Sequence, residues 1–257
     1  PKLDIYRQYQ EIFSKVTNPH FVRKHAFFPL IHSVIKERKY KKYLVKNGDV
    51  DANEQILRAH SYEENGNVVS SAKVRPLHYA THIDSIIFGY YAELIQLQYE
   101  AALLKHDKLN ESVIAYRKIE VDGDISSSGK STIHFAQEAF EEIATRGKTG
   151  CVVLMFDIKS FFSELNHDRL KRAWSSLFKF DRLPADHFNV FKACTEFRYI
   201  LLDDLRLQSD HRTKRKGFDE KKLAAIRRLK GFEAFYSSVS EFRSALKHRE
   251  ITVYKHP

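Results

Sequence analysis

The sequence predicts a helix-rich α+β fold. Apolar residues recur at helical spacing over long stretches, four short segments carry strand patterning, and helices fall between those strands. At 257 residues, 43% hydrophobic and 30% charged, the chain has ample length to bury a core.

Taken in order, residues 1–46 read as helical, because Ile5, Tyr9, Ile12, Phe13 and Val16 repeat on one face, with a break at Asn18-Pro19. Residues 47–67 are polar and turn-rich, and Val68-Val69 opens a strand that ends near Arg75-Pro76. Thr81-His82-Ile83-Asp84 has a capping-box pattern. It opens a helix whose stripe of Ile83, Ile86, Ile87, Tyr90, Leu94, Leu97, Ala101 and Leu104 is expected to be core. Val113 to Val121 alternates in part and reads as a strand, followed by a loop through Gly129. Ser131 starts a helix with Ile133, Ala136, Phe140 and Ile143 on one face, closing at Gly147. The run Cys151 to Phe156 is wholly apolar, as a strand buried on both faces would be. Leu170, Trp174 and Leu177 mark the next helix, and three more are expected over 186–197, 219–229 and 240–247, the last with a Ser238/Glu241 capping box. Ile251 to Tyr254 reads as a final strand.

Several functional classes are excluded. No apolar run reaches the ~18 residues of a membrane span, and no signal-peptide pattern is visible. Two distant cysteines, Cys151 and Cys194, make no disulfide framework, which points to a reducing cytoplasmic setting, and they exclude a cysteine-based zinc site. No H-E-x-x-H pair occurs among the 13 histidines. The net charge is +10, and it is concentrated. His20 to Lys46 holds eight Lys/Arg against one acid, and Arg198 to Lys230 holds eleven against five. Two such tracts on a slightly acidic remainder are the footprint of a polyanion-binding protein, although each alone could be a solvated helical face. Lys36, Arg38, Lys39, Lys41 and Lys42 lie among Tyr40 and Tyr43, which could stack on bases; Arg212, Lys214, Arg215 and Lys216 form the second cluster.

Asp157 directly follows the apolar run. A carboxylate at the carboxyl end of a buried strand sits where α/β sheets place ligands, and burial there demands a metal ion or a cationic partner. A helix cap or a salt bridge would also account for a lone Asp.

The context of Asp157 is more specific. Phe156-Asp157-Ile158-Lys159-Ser160-Phe161-Phe162, followed by Asn166-His167, resembles the first palm motif of bacterial reverse transcriptases of the group II intron, retron and phage-defence (abortive-infection) type. The resemblance implies that Asp157 binds catalytic Mg²⁺ with help from the Ile158 carbonyl, and that Phe162 is the gate excluding a 2′-hydroxyl. Phe161 is expected to pack in the core, or to be the gate if Phe162 is not. Lys73-Val74-Arg75-Pro76-Leu77 with Asp84 resembles the first fingers motif, so that Lys73 and Arg75 would contact nucleotide phosphates. Tyr116-Arg117-Lys118 with Gly129-Lys130-Ser131-x-x-His134 resembles the second, placing Arg117, Lys118 and Lys130 along the template. Gly129-Lys130-Ser131 is no P-loop, because the earlier glycine is missing at the required spacing. Residues 186–247 resemble the linker of the phage-defence branch, so the resemblance covers about 20 to 257.

The resemblance implies a right-hand polymerase: an N-terminal basic helical region (1–66), fingers (67–147), a partial palm carrying the first catalytic motif (148–180) and a helical linker (181–257). It further implies an RNA template, a DNA product, deoxynucleoside triphosphates and Mg²⁺, and it allows a homo-oligomer. Two family elements are missing: the Pro-Gln-Gly segment and the Tyr/Phe-x-Asp-Asp hairpin. Asp203-Asp204, the only Asp-Asp pair, lies about 46 residues after Asp157 and precedes a basic segment, which favours a surface or capping pair. Two-metal catalysis needs carboxylates from more than one strand, so a partner chain or a C-terminal segment is expected to complete the site. The alternative is a polymerase-derived module that grips nucleic acid without catalysis.

Overall fold

The computed structural model describes residues 2–38, 41–43, 57–59, 61–64, 67–70, 72–121, 129–158, 161, 164–208, 216–231 and 234–256. The fold is α+β. In chain order the elements are α1 (Lys2–Val16), α2 (Pro19–Val22), β1 (Leu30–Arg38), β2 (Lys41–Tyr43), β3 (Leu57–Ala59), β4 (Ser61–Glu64), β5 (Asn67–Ser70), β6 (Ala72–Tyr79), α3 (His82–Leu103), α4 (Asp107–Ser112) and α5 (Thr132–Gly147). There follow α6 (His167–Leu177), α7 (Ala185–Thr195), β7 (Arg198–Leu201), a 3-10 turn (Leu202–Leu205), β8 (Leu207–Gln208), β9 (Lys216–Gly217), α8 (Glu220–Lys230), α9 (Val239–Lys247) and β10 (Tyr254–Lys255). Among the described residues no helix is long and apolar enough to cross a membrane.

The chain divides into two compact units, Pro1–Lys24 with Ile87–Phe191, and His25–Ile86 with Lys192–Pro257. Among its described residues the first unit contains helices and no strand. Val16, Val22, Ile87, Tyr91, Leu103, Leu183, Val190 and Phe191 form its core. Burying each of these aliphatic side chains contributes about 2 kcal/mol. Two polar links tie its helices. Tyr91 Oη donates to Asp186 Oδ2 at 2.6 Å, and Trp174 Nε1 donates to His187 Nδ1 at 3.1 Å. Both acceptors are buried, and burial lowers the pKa of His187 and raises that of Tyr91. Asn189 Nδ2 also donates to the Val22 carbonyl at 2.8 Å, holding the end of α2.

The second unit contains a four-stranded sheet in the order β10-β7-β1-β6. β1 is antiparallel to β6 and parallel to β7, and β10 is antiparallel to β7. Pro76 pairs opposite Val34 on β6, which is an edge strand, where a residue without an N–H is tolerated. One buried carboxylate organises the start of α3. Asp84 is 0% exposed; its Oδ1 lies 2.6 Å from His25 Nε2 and its Oδ2 accepts the Phe28 N–H at 3.2 Å. Thr81 Oγ1 in turn accepts the Asp84 N–H at 3.3 Å, which is one half of the expected capping box; the Asp84 carboxylate, expected to complete it, is engaged by His25 and the Phe28 N–H instead.

Four expectations require correction. The segment 1–66, expected to be helical, turns to strand at Leu30 and carries β1 to β4. From Leu30 to Glu37 the period of two decides, because each residue meets a β6 or β7 partner. The core face of α3 is centred on Asp84, Ile87 and Tyr91, whereas Leu97 and Leu104 are 61% and 69% exposed. A hydropathy stripe cannot show this, since the residue at the head of the buried face is charged. Val113–Val121 is irregular, with Tyr116 at φ 59°, because Arg117 is drawn back onto the preceding helices. Finally, Cys151–Phe156 forms no strand, as detailed below.

Candidate active-site loop and nucleic-acid-binding surfaces

The first unit holds Asp157. Residues 151–158 run without regular structure, and their apolar side chains face water: Val152 is 86%, Met155 91% and Phe156 89% exposed. A strand buried on both faces needs sheet neighbours for its N–H and C=O groups and layers above and below, and the described part of this unit has no sheet to offer. Asp157 itself is exposed, and Ile158 is 68% exposed. Phe161, expected in the core, is 46% exposed. Phe162, the expected sugar gate, lies outside the described residues, as do Lys159 and Ser160. The loop ends at Asn166, whose Oδ1 accepts the Arg169 N–H at 2.9 Å and caps α6.

Among the described residues no three His, Cys, Asp or Glu side chains converge to hold a metal ion. Asp157 and the Ile158 carbonyl provide one carboxylate and one neutral oxygen. Two Mg²⁺ ions about 3.5–4 Å apart need more than this, so these residues do not by themselves constitute a two-metal centre.

The segments of the second fingers-like motif do come together. The Lys130 N–H donates to the Ile119 carbonyl at 2.6 Å, which brings Lys118 beside Gly129. Glycine is required there, because a Cβ would stand 2.9 Å from the Ile119 carbonyl oxygen. Lys130 Nζ reaches Glu138 at 2.5 Å, and the Ser131 N–H donates to His134 Nδ1 at 2.9 Å at the head of α5. The face of α5 bearing Ile133 and Phe140 is 76% and 71% exposed at those residues.

Arg117 behaves differently from a template contact. Its side chain is 7% exposed. Nε donates to both Glu100 carboxylate oxygens at 3.0 and 3.1 Å, Nη1 to the Asn110 and Val113 carbonyls at 2.8 and 2.6 Å, and Nη2 to Glu100 Oε2 at 2.7 Å and Asn110 Oδ1 at 2.6 Å. A guanidinium has five N–H groups, and all five are spent on α3 and α4 and the turn after them. These hydrogen bonds hold the Glu100 carboxyl below its usual range and raise the Arg117 pKa. The arrangement makes Arg117 a clamp within its own unit.

Lys73 and Arg75 belong to the second unit, on one face of β6. Both are exposed. Glu37 lies opposite Lys73 in the ladder, and the Arg75 Nε donates to Glu37 Oε2 at 2.7 Å. Surface pairs of this kind are worth about 0–1 kcal/mol, so the pairing is easily exchanged for a phosphate. Of the first basic cluster, Lys36 projects exposed from β1, Lys41 and Lys42 lie on β2, and Lys39 lies outside the described residues. In the second cluster only Lys216 is described, on β9.

Asp203 and Asp204 lie in the 3-10 turn after β7. Asp203 Oδ1 stands 3.3 Å from Arg206 Nε. Asp204 lines a cleft of about 480 Å³ together with Arg206, Asp219, Lys222, Tyr236 and Glu250. Burial and the charges of Glu250, Glu241 and Asp204 raise the Tyr236 pKa.

Sequence reasoning missed two features. The Arg117 clamp draws on Glu100 and Asn110, which carry no motif. A cluster of six aromatic and histidine rings on the sheet is assembled from four distant segments, and its only local signals are the i, i+2 pairs Phe197/Tyr199 and Tyr254/His256. No protein-family model matches the chain, and no curated protein matches it.

Proposed function

We propose that this chain is the N-terminal part of an RNA-directed DNA polymerase of the bacterial reverse-transcriptase type, acting in antiphage defence. Asp157 and the Ile158 carbonyl would supply part of a Mg²⁺ site, Phe162 the sugar gate, and Lys73 and Arg75 the nucleotide phosphate contacts. Lys118 and Lys130 would lie along the template, with Arg117 holding that segment in place. The observation that carries this reading is the run Cys151–Phe156, wholly apolar and exposed, ending on Asp157-Ile158 and Phe161-Phe162. Such a run is costly to leave in water, and it fits a palm strand whose neighbouring strands and remaining carboxylates come from residues beyond this chain or from a partner chain. Bound Mg²⁺ would stabilise charge on the transferring phosphate; the chain's own task is to place Asp157 there and to hold template and nucleotide.

A second reading has its own support. The second unit carries 25 Lys/Arg against 16 Asp/Glu, a net +9 of the total +10. A polymerase-derived module that grips nucleic acid without making product would need that charge and no metal centre.

The test is primer extension on an RNA template with deoxynucleotides and Mg²⁺, using the protein that contains this chain, beside binding of the same template-primer by anisotropy. Asp157→Asn should abolish extension and leave binding and the melting temperature unchanged. Near-parental extension by Asp157→Asn refutes the assignment of Asp157. Binding without extension by the parent selects the second reading.

A further inference from the structure

The four-stranded sheet presents a continuous layer of rings on one face. The register sets His32 opposite His78 and Tyr199 opposite Tyr254. Alternate residues of a strand share a face, which adds Phe197 to Tyr199 and His256 to Tyr254. Ring centroids lie 4.7 Å apart for His32–His78, 5.2 Å for His32–Tyr199, 4.9 Å for His78–Phe197, 4.5 Å for Phe197–His256 and 5.4 Å for Tyr199–Tyr254. The last pair is stacked, with 20° between planes.

This is not a buried core. All six rings are partly exposed, Tyr254 at 37%. Along β1 and β6 the same face continues into Val34 and Val74, 47% and 56% exposed, and into exposed Lys36. The opposite face carries Ile200, 5% exposed, and farther along β1 and β6 the exposed Ile35, Arg75 and Lys73. His32 Nδ1 and His78 Nε2 lie 3.1 Å apart, so one of them donates and the other accepts. Among the described residues His32 Nε2 and His78 Nδ1 have no hydrogen-bond partner.

Two properties select the occupant. Nearly all of the chain's net positive charge belongs to this unit, which favours a polyanion. A surface of flat rings favours a ligand with flat faces. Single-stranded nucleic acid has both, since every base offers a π-face and every linkage a phosphate. A duplex hides its bases from such a surface, and an acidic peptide does not carry a flat ring on every unit as a nucleic-acid strand does.

We propose that the ring face of this sheet docks single-stranded nucleic acid, with bases stacking on Tyr199 and Tyr254 and the unit's cations, Lys36 among them, holding phosphates. The proposal rests on the nucleic-acid-binding part of the reading above and is independent of polymerisation.

The experiment measures anisotropy of a labelled oligouridylate 12-mer, an oligothymidylate 12-mer and a 12-base-pair DNA duplex. The proteins are the parent chain, Tyr199→Ala/Tyr254→Ala and Tyr199→Phe/Tyr254→Phe, each checked by circular dichroism. The parent should bind single strands more tightly than duplex. The alanine pair should weaken single-strand binding by about 10- to 100-fold, and the phenylalanine pair should restore it, because stacking needs the ring and not the hydroxyl. The RNA and DNA arms identify which strand is held. Photocrosslinking of an iodouridine-bearing 12-mer to the parent, mapped by mass spectrometry, should place adducts on the peptides carrying Tyr199 and Tyr254 even if the alanine pair fails to fold. Affinity within twofold of the parent for the folded alanine pair overturns the proposal, as do equal affinity for duplex and adducts confined to peptides that carry neither Tyr199 nor Tyr254. Any of these leaves Asp157 and the polymerase reading untouched, whereas failure of the parent to bind any oligonucleotide overturns both.

Discussion

Replacing Arg117 by alanine would remove five N–H donors at once from a side chain that is 7% exposed. The Glu100 carboxylate, the Asn110 and Val113 carbonyls and Asn110 Oδ1 would lose their partner. The charged pair contributes about 1.5–3 kcal/mol and each neutral acceptor about 1. Water offsets part of this, because Glu100 is 30% exposed. The net loss is about 3 kcal/mol, at the lower end of the ~3–5 kcal/mol found for breaking a fully buried pair. Arg117→Lys keeps the charge but not the planar fork, and should lose about 1.5–2 kcal/mol. Trp174, the only tryptophan, lies in the same unit and reports its unfolding in urea. With a slope of about 2 kcal/mol per molar urea, the midpoint should fall by ~1.5 M for alanine and under 1 M for lysine. A double-mutant cycle with Glu100→Gln should return a coupling of at least ~1 kcal/mol. A midpoint within 0.3 M of the parent (on the order of the error in such midpoints), together with weakened template affinity, would refute the clamp and make Arg117 a direct template contact.

Two further outcomes follow from the second unit. Asp84→Asn leaves His25 and the Phe28 N–H without a carboxylate and should cost about 2–4 kcal/mol, read from a thermal or denaturant midpoint, while Glu37→Gln on the exposed surface should change it by less than ~0.5. The Glu241 carboxyl is drawn down to about 2 by Lys222 and then by the Ser237 hydroxyl and N–H. Its folded pKa is depressed, so its contribution is present above the ordinary carboxylate range near 4.5 and is lost as pH falls toward 2. Because Glu241 is 33% exposed, screening reduces this to about 1 kcal/mol. Glu241→Gln should therefore be less stable than the parent at pH 7 and equal to it near pH 2 in parallel urea titrations; a constant difference across that range would refute the assignment.

By itself the sequence determined most of the helices. Asn166, Ser131, Asp219 and Ser238 mark their starts with side chains that accept or complete the first-turn N–H bonds, and these are local, two- to four-residue interactions. It also marked Val68-Val69 and Val74-Arg75 as strand, although these belong to β5 and β6 of two different sheets and β6 runs past Pro76 to Tyr79, and it located the positive charge. What it could not decide were the features that depend on partners distant in the chain. Leu30–Glu37 became a strand because β6 and β7 take its backbone hydrogen bonds, and the apolar run before Asp157 did not, because the described residues of its unit offer no sheet. Asp84 heads the buried face of α3 because His25 and the Phe28 N–H, more than fifty residues earlier, neutralise the cost of burying it. Arg117 reads as a nucleic-acid cation until Glu100 and Asn110 close around it. The six rings share a surface only once four strands from both halves of the chain are in register, since hydrogen-bonded register, and not proximity in sequence, decides which side chains meet.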